Sequence, residues 1–460
     1  MALRFGTDGI RGVANAELTP ELALALGRAA ARVLPAECFV VGRDTRRSGP
    51  MLSAALSAGL AAEGGDVVDA GVLPTPGVAW ISSRRAVPAA MVSASHNPFP
   101  DNGVKIFASG GTKLPDALQQ AVEAELEQVL SGGRQGPKPS TGHGVGRVWA
   151  EPEAVGGYTD HLVSVLEGRD LTGMRIVVDC ANGAASAVAP SVLHRLGAEV
   201  TAIACDPDGA NINDACGSTH PEVLARTVVD VGADLGLALD GDADRLVAVD
   251  ASGVAATGDH LLALFATDLA ARGRLAGNTV VVTVMTNLGF HRAMGEQGIA
   301  VRETPVGDRS VLEALDADGL ALGGEQSGHI VFRQLSTTGD GLLTGLLLAD
   351  LVRRSQRPLV ELVGTCMQRV PQVLVNVAVA DPPGAVGSPE VQDRLAAARQ
   401  RLGELGRVVL RASGTEPLVR VMVEAEDEGT ARAVAGELRA AVTGAPAVAT
   451  SAAARAPAGS

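Results

Sequence analysis

Aromatic side chains are scarce in this chain of 460 residues: two Trp, one Tyr and seven Phe make up 2% of it. A core therefore has to be built from Ala, Val, Leu and Gly, which suits layered α/β packing with close helix-to-sheet approach better than an aromatic-rich β-sandwich. Cysteine is scarce too. Cys38, Cys180, Cys205, Cys216 and Cys366 are scattered, odd in number and include no C-x-x-C pair, which argues for reduced thiols over a disulfide frame or a zinc site. Basic residues fall short of acidic ones, 38 Lys and Arg against 52 Asp and Glu, and the net charge of -14 repels nucleic acid and anionic membranes. An anionic substrate would need a local basic pocket. No apolar run reaches transmembrane length; the best, Gly341 to Val352, is short and broken by Asp350. Met1 runs almost directly into Phe5-Gly6-Thr7-Asp8-Gly9, with no room for a secretory signal, so a cytoplasmic protein is expected.

Several catalytic signatures are missing as well. There is no G-x-x-x-x-G-K-[ST], no H-E-x-x-H and no G-x-S-x-G, and Gly142, Gly144 and Gly146 have the wrong spacing for a dinucleotide fingerprint. His143, His161, His194, His220, His260 and His291 show no ligand spacing and read as structural or surface residues.

What the chain does contain is length for several domains and a unit that recurs three times. Each copy is an apolar strand, a small-residue turn, an amphipathic helix, a glycine and a second strand, starting at Cys38, Arg175 and Thr279. Strand, crossover helix and strand imply βαβ units with largely parallel pairing and mixed edges. Composition shifts place the joints. Ser131 to Thr141 is rich in Gly, Pro and Ser before a helix near Tyr158 to Leu166, a second joint follows the strand Leu246 to Val249, and a third lies near Arg357-Pro358. The expected fold is three related α/β domains with mixed sheets, 1–150, 151–252 and 253–365, plus a smaller C-terminal α+β domain, 366–444, around a central cleft. The Ala- and Pro-rich 445–460 is expected to be a disordered tail.

Five stretches could carry chemistry. Met91 to Lys105, MVSASHNPFPDNGVK, offers Ser95 as a nucleophile or phosphoryl carrier, with His96, Asn97 and Lys105 to orient it and manage its proton; an ordinary turn of Asn, Pro, Asp and Gly is the plain alternative. Asp240, Asp242 and Asp244 of DGDADR follow an apolar strand, and in an extended backbone alternate residues share a face, so three hard oxygen ligands could converge on Mg²⁺. The EF-hand pattern fails there, because Arg245 stands where its glycine is needed and Ala251 where its Glu should be. A solvated acidic turn is the alternative, and Arg245 reads as an anion contact. Glu325, Gln326, Ser327 and His329 of GGEQSGH could hydrogen-bond the hydroxyls of a polyol, or simply line a polar hairpin turn. Arg411, Ser413, Gly414, Thr415 and Arg420 have the parts of a phosphate cradle, unless the arginines only pair with Glu416 and Glu424. Arg11, in GTDGIRG, meets a phosphate or caps a strand.

Taken in order, FGTDGIRG, SASHNP with DNGVK, DGDADR, GGEQSGH and RASGTEP resemble the α-D-phosphohexomutases, most closely the bacterial phosphoglucosamine mutases, over essentially the whole chain up to Thr443. FGTDGIRG, DGDADR, GEQSGH and Cys216-Gly-Ser-Thr-His220 look like the glucosamine branch. The resemblance implies that Ser95 is the phosphoserine and that Asp240, Asp242, Asp244 and the phosphoserine oxygen hold one Mg²⁺. It implies that Glu325, Ser327 and His329 contact the sugar, and that Arg411, Ser413, Gly414, Thr415 and Arg420 clasp the distal phosphate. Arg11, His96, Lys105 and Arg245 would then surround the transferred group, with Lys105 the first choice for proton handling and His96 the second. The departure is Ser310 after Gly307-Asp308-Arg309, where relatives often carry an aromatic. The implied reaction converts glucosamine 6-phosphate to glucosamine 1-phosphate through glucosamine 1,6-bisphosphate, which is also the activator, in a cleft that closes by movement of the last domain. The expected partner is a hexosamine phosphate, with no nucleic acid and no membrane; a homodimer stays open. Two rivals are a glucose or mannose phosphate mutase and a sugar-phosphate-binding regulator without turnover.

Overall fold

The computed structural model describes residues 9–132, 140–413 and 417–444. The chain forms two compact units, one of Met1–Thr283 and Ala293–Met367, the other of Val284–Arg292 and Gln368–Ser460. Most of the expected linker at 131–141 and all of the tail after 444 lie outside the described residues.

The first unit holds three sheets that repeat one strand order. In the first, Cys38–Arg43 lies between Asp66–Val72 and Ala89–Val92 and is parallel to both, and Asp101–Ala108 runs antiparallel to Ala89–Val92. In the second, Arg175–Asp179 takes the inner place between Glu199–Ile203 and Leu235–Leu239, with Leu246–Asp250 antiparallel to the latter. In the third, Thr279–Thr283 lies between Ala300–Thr304 and Leu322–Gly324, and Ile330–Phe332 closes the pattern antiparallel. The parallel pairs arise because a helix crosses between their strands. A parallel crossover takes a dozen or more residues; the third and fourth strands of each sheet are joined by far less, so the chain folds back as a hairpin. SASHNP, DGDADR and GEQSGH occupy those three hairpins in turn.

Two short strands extend the first sheet. Ile10–Val13 adds antiparallel to Asp101–Ala108 and carries Arg11, while Val148–Ala150 adds parallel to Asp66–Val72. The latter is exposed along its length and follows a Gly-rich stretch, so no alternation marks it in the sequence. Helices are set by their caps. Pro20–Val33 starts where the Thr19 hydroxyl accepts the Leu22 N–H at 3.3 Å, with Pro20 in the first turn. It crosses Gly49–Ala62 at Gly27 and Gly59: a Cβ on Gly27 would stand 2.2 Å from the Leu56 carbonyl oxygen, one on Gly59 2.1 Å from that of Leu24. The core of small side chains thus brings two helix backbones into contact. The helix expected from Tyr158 to Leu166 begins earlier, at Glu153, and ends at Ser164, so buried Tyr158 lies inside it and donates to Asp340 Oδ2 at 2.8 Å. Asp340 caps Gly341–Ser355, the apolar run of the sequence, which is a buried helix whose Asp350 is held by Arg169 and Arg354, each at 2.8 Å. Among the described residues no helix is long and apolar enough to cross a membrane.

In the second unit, Leu418–Glu424 is the central strand of an antiparallel sheet, between Gln372–Ala378 and Arg407–Ala412. Pro389–Leu402 and Glu428–Gly444 pack a Val- and Leu-rich face against it. Val284–Arg292 is tied into this unit: Asn287 Nδ2 donates to the Val370 carbonyl and Asn287 Oδ1 accepts the Val370 N–H, both at 2.9 Å, and Glu424 Oε1 accepts the Leu288 N–H.

Candidate active site

Ser95 leaves the end of Ala89–Val92 in the left-handed region, φ 52°, a conformation unfavourable for a residue with a Cβ, and it is held there by neighbours. Ser93 Oγ accepts its N–H at 2.9 Å. Its own hydroxyl, 1% exposed, donates to Asp240 Oδ2 at 2.6 Å and lies 3.3 Å from His96 Nδ1. Burial, with the charges of Arg245 and Arg11 close by, holds the His96 pKa down to about 4, so the ring is neutral near pH 7.

The three aspartates do converge, but not by strand alternation. Residues 240–245 form a turn in which Ala243 takes a left-handed φ of 58° and its N–H returns to the Asp240 carbonyl at 2.9 Å. The extended backbone expected there is replaced because the chain must reverse into Leu246–Asp250 within a few residues. Gly241 is required at the inner edge of the turn, since a Cβ would stand 2.6 Å from the Ser95 carbonyl oxygen and 2.9 Å from Asn213 Nδ2. Lys105, buried, donates from Nζ to Asp242 Oδ2 at 2.9 Å and Asp244 Oδ2 at 3.2 Å; Thr75 Oγ1 adds a 2.6 Å bond to Asp242 Oδ2. Burial and repulsion from Asp244 and Asp242 push the Asp240 carboxyl well above the usual carboxylate range. Burial opposes ionisation of Asp244 too, but Lys105 and His329 outweigh it and hold that group well below the range.

These residues fit a divalent cation. One oxygen from each of the three carboxylates lies within 4.8 Å of the others, and among the described residues Asp242 Oδ1 and Asp244 Oδ1 are buried and accept no hydrogen bond, Asp244 Oδ1 lying 3.7 Å from both Arg245 Nε and His329 Nδ1. Carboxylate oxygens are the hard donors that Mg²⁺ takes.

The sugar-type loop joins Leu322–Gly324 to Ile330–Phe332 and is indeed a hairpin. Its turn is packed against the second sheet, with the Leu246 N–H on the Gly328 carbonyl at 3.1 Å. Glu325 Oε1 accepts the Gly307 N–H at 3.1 Å, while Ser327 Oγ is buried and makes no hydrogen bond among the described residues. His329 is 2% exposed, with Nδ1 3.7 Å from Asp244 Oδ1 and Nε2 3.7 Å from Asp308 Oδ2. Burial works to lower its pKa, but Asp244, Asp308 and Glu325 prevail and raise it. Arg245 stands beside the same carboxylate, Nε 3.7 Å from Asp244 Oδ1.

In the second unit, Arg411 and Arg420 face each other across the antiparallel pair, and Ser413 closes it by donating its N–H to the Leu418 carbonyl at 2.9 Å. Like charges directly opposite are unfavourable. Glu424, one suggested counter-ion, is engaged by Arg407 at 3.0 Å. Gly414, Thr415 and Glu416 lie outside the described residues.

Three residues with a place at the Ser95 loop or the triad escaped the sequence reading. Thr75 and Asn213 were not singled out, and Arg46 fell within the turn of the first βαβ unit. Only the Asp44-x-Arg46 pair carried a signal, a charge pair directly after a buried strand.

A serine hydroxyl set against buried carboxylates that can share a divalent cation has the parts that phosphoryl transfer uses. Comparison with known proteins places the chain within that class. Models of the phosphoglucomutase/phosphomannomutase family match in order: alpha/beta/alpha domain I over residues 2–131, domain II over 156–253, domain III over 257–370 and the C-terminal domain over 374–441. A phosphoglucosamine mutase of Saccharopolyspora erythraea is 54% identical over 445 residues, spanning 95% of this chain and 98% of the relative. Another of the same name, from Frankia alni, is 53% identical over 455 residues, spanning 96% and 98%. A solved phosphoglucomutase/phosphomannomutase family protein of Burkholderia thailandensis superposes with a TM-score of 0.80 at 27% identity, over 96% of this chain and 97% of that one. The chain belongs to the phosphoglucomutase/phosphomannomutase family and is an intramolecular phosphotransferase.

Proposed function

We propose that this protein interconverts glucosamine 6-phosphate and glucosamine 1-phosphate, feeding amino-sugar nucleotide and cell-wall precursor synthesis. The observation that carries the reading is the 2.6 Å bond from the Ser95 hydroxyl to Asp240, beside Asp242 and Asp244, whose Oδ1 atoms are buried and accept no hydrogen bond among the described residues. The choice of sugar follows the relatives' shared name. Ser95 works as the phosphoserine. The O1 hydroxyl of glucosamine 6-phosphate attacks its phosphorus, the Oγ–P bond breaks, and glucosamine 1,6-bisphosphate forms. The hydroxyl proton ends on Ser95 Oγ, carried by Lys105 as first choice and His96 as second. The bisphosphate then turns over and returns its 6-phosphoryl group to Ser95, leaving glucosamine 1-phosphate. A free bisphosphate would also prime an unphosphorylated serine, so it acts as activator.

Asp240, Asp242, Asp244 and an oxygen on Ser95 would hold one Mg²⁺, which when bound offsets the charge developing on the phosphoryl oxygens. A phosphoserine brings roughly -1.5 to -2 of charge and the substrate adds another phosphate, so Arg11 and Arg245 have repulsion to offset. Glu325, Ser327 and His329 serve the sugar, and the buried Ser327 hydroxyl suits a sugar hydroxyl. Arg411, Ser413, Gly414, Thr415 and Arg420 serve the phosphate not being transferred. The division of the chain at 150, 252 and 365 belongs to this proposal, each part supplying one loop.

A panel of glucosamine, glucose and mannose 6-phosphates, assayed with Mg²⁺ and a bisphosphate primer on the parent and Ser95→Ala, tests it. The expected result is highest kcat/KM on glucosamine 6-phosphate, no net release of inorganic phosphate, and loss of turnover in the variant. Full activity in Ser95→Ala would sink the phosphoserine, and preference for another sugar would move the assignment to a sister activity.

A further inference from the structure

Arg46 carries a permanent charge at 1% exposure. Such burial is strongly unfavourable unless the charge is paired and its donors are satisfied. A guanidinium has five N–H groups, and here every one has an acceptor. Nε donates to Asp44 Oδ2 at 2.8 Å. Nη1 donates to the carbonyls of Pro98 at 2.5 Å and Asp101 at 3.0 Å, and Nη2 to those of Ser95 at 2.9 Å and Asn97 at 2.8 Å. Asp44 is fixed in turn by the Arg46 N–H at 2.9 Å and by Ser93 Oγ at 2.6 Å. All but one of these guanidinium bonds therefore close on the backbone of a single loop, the one that bears Ser95. Asn213 doubles the grip, its Nδ2 reaching the Ser95 carbonyl at 2.9 Å and the Asn97 carbonyl at 3.0 Å.

We propose that Arg46, seconded by Asn213, is the positioning residue of phosphoryl transfer, holding the Ser95 loop by its carbonyls so that Ser95 Oγ and the His96 N–H face the group being transferred. The inference rests on the reading of Ser95 as the phosphoryl carrier. A trans peptide is planar with its C=O and N–H opposed. The Ser95 carbonyl is drawn to Arg46 and Asn213, so the N–H of the same peptide, that of His96, is directed away from them. That N–H donates to nothing among the described residues. It is a fixed donor beside the nucleophile, suited to a phosphoryl oxygen. The left-handed turn at Ser95 makes the grip necessary, because a residue with a Cβ leaves that conformation unless its surroundings over-determine it. A lysine cannot replace the grip, since its three donors radiate from one atom and cannot span a planar fork.

The test compares Arg46→Lys with the parent by thermal unfolding, by hydrogen exchange of the segment 91–105, and by kcat and KM below the unfolding transition. The expected outcome is cooperative unfolding at lower temperature, exchange at least about tenfold faster in the loop but not in Arg175–Asp179, kcat down about 100-fold, and KM within about threefold. Asn213→Ala serves if the lysine variant does not fold, with kcat down about tenfold. A purely structural role lowers the melting temperature and leaves kcat alone. Parental kcat in either folded variant, or an unchanged loop exchange, overturns the proposal. A parent inert toward hexosamine and hexose phosphates would sink the reading of Ser95 alone, and the exchange would still decide whether Arg46 holds the loop.

Discussion

Asp242 divides its carboxylate between two tasks. Oδ2 accepts from Lys105 and Thr75, while buried Oδ1 accepts no hydrogen bond among the described residues. Asp242→Asn keeps the shape and puts a donor or a neutral oxygen where the orphan stood. Calorimetric titration of the parent with Mg²⁺ is expected to show one site, and the variant is expected to bind at least about tenfold more weakly, since ligand charge sets affinity for hard cations. Equal affinity in the two would remove the aspartates from the metal reading. The aspartates were legible in the sequence because three carboxylates at alternate positions after an apolar strand are rare, although the reason given for their convergence was wrong. Thr75 was not legible, and Arg46 showed only as a charge pair with Asp44. Their partners are at Asp242 and in the Ser95 loop, and no local pattern announces a bond across that distance.

At the level of elements, the strand runs beginning at Cys38, Arg175 and Thr279 could be read directly, because strands buried on both faces are continuous apolar stretches. The repeated hairpins could not, since a polar loop between apolar runs has the same composition in a crossover as in a reversal. The cap of Gly341–Ser355 gives a pH test. Burial pushes the Asp340 carboxyl up to about 6, against hydrogen bonds from the Leu343 N–H and Tyr158. An acid whose folded pKa is raised stabilises the fold below its unfolded pKa, near 4, and loses that contribution as pH rises through the folded value. Asp340→Asn keeps one oxygen to cap the Leu343 N–H, turns an amide N–H toward the Tyr158 oxygen in place of the second acceptor, and cannot ionise. Its stability relative to the parent, from denaturant melts, is expected to improve between pH 4 and pH 7 by up to roughly 3 kcal/mol. A difference that stays flat over that range would place the Asp340 pKa at its ordinary value.

The whole molecule is not a string of separable beads. Val284–Arg292 lies in sequence between Thr279–Thr283 and Ala300–Thr304 of the third sheet, yet its backbone and Asn287 are bound to Val370, Arg407 and Glu424 of the other unit. A protein truncated after Met367 would keep that crossover and lose its partners. It is expected to melt at lower temperature than the full chain and to show rapid hydrogen exchange at 284–292, whereas an unchanged melting point would make the C-terminal unit an appendage. This interlock was invisible in the sequence, where the segment looks like any helix start between two strands. The three hairpins carry a further consequence for how substitutions combine. Thr75 and Lys105, from the first repeat, meet on one oxygen of Asp242, from the second, and His329, from the third, stands beside Asp244. Energies of groups that share a partner do not add, by about 0.5 to 3 kcal/mol, whereas distant sites add to within about 0.5. A thermodynamic cycle of Thr75→Val and Lys105→Met should therefore show coupling, and one of Thr19→Ala and Arg354→Ala none. By that measure the three repeats hold a single cooperative centre.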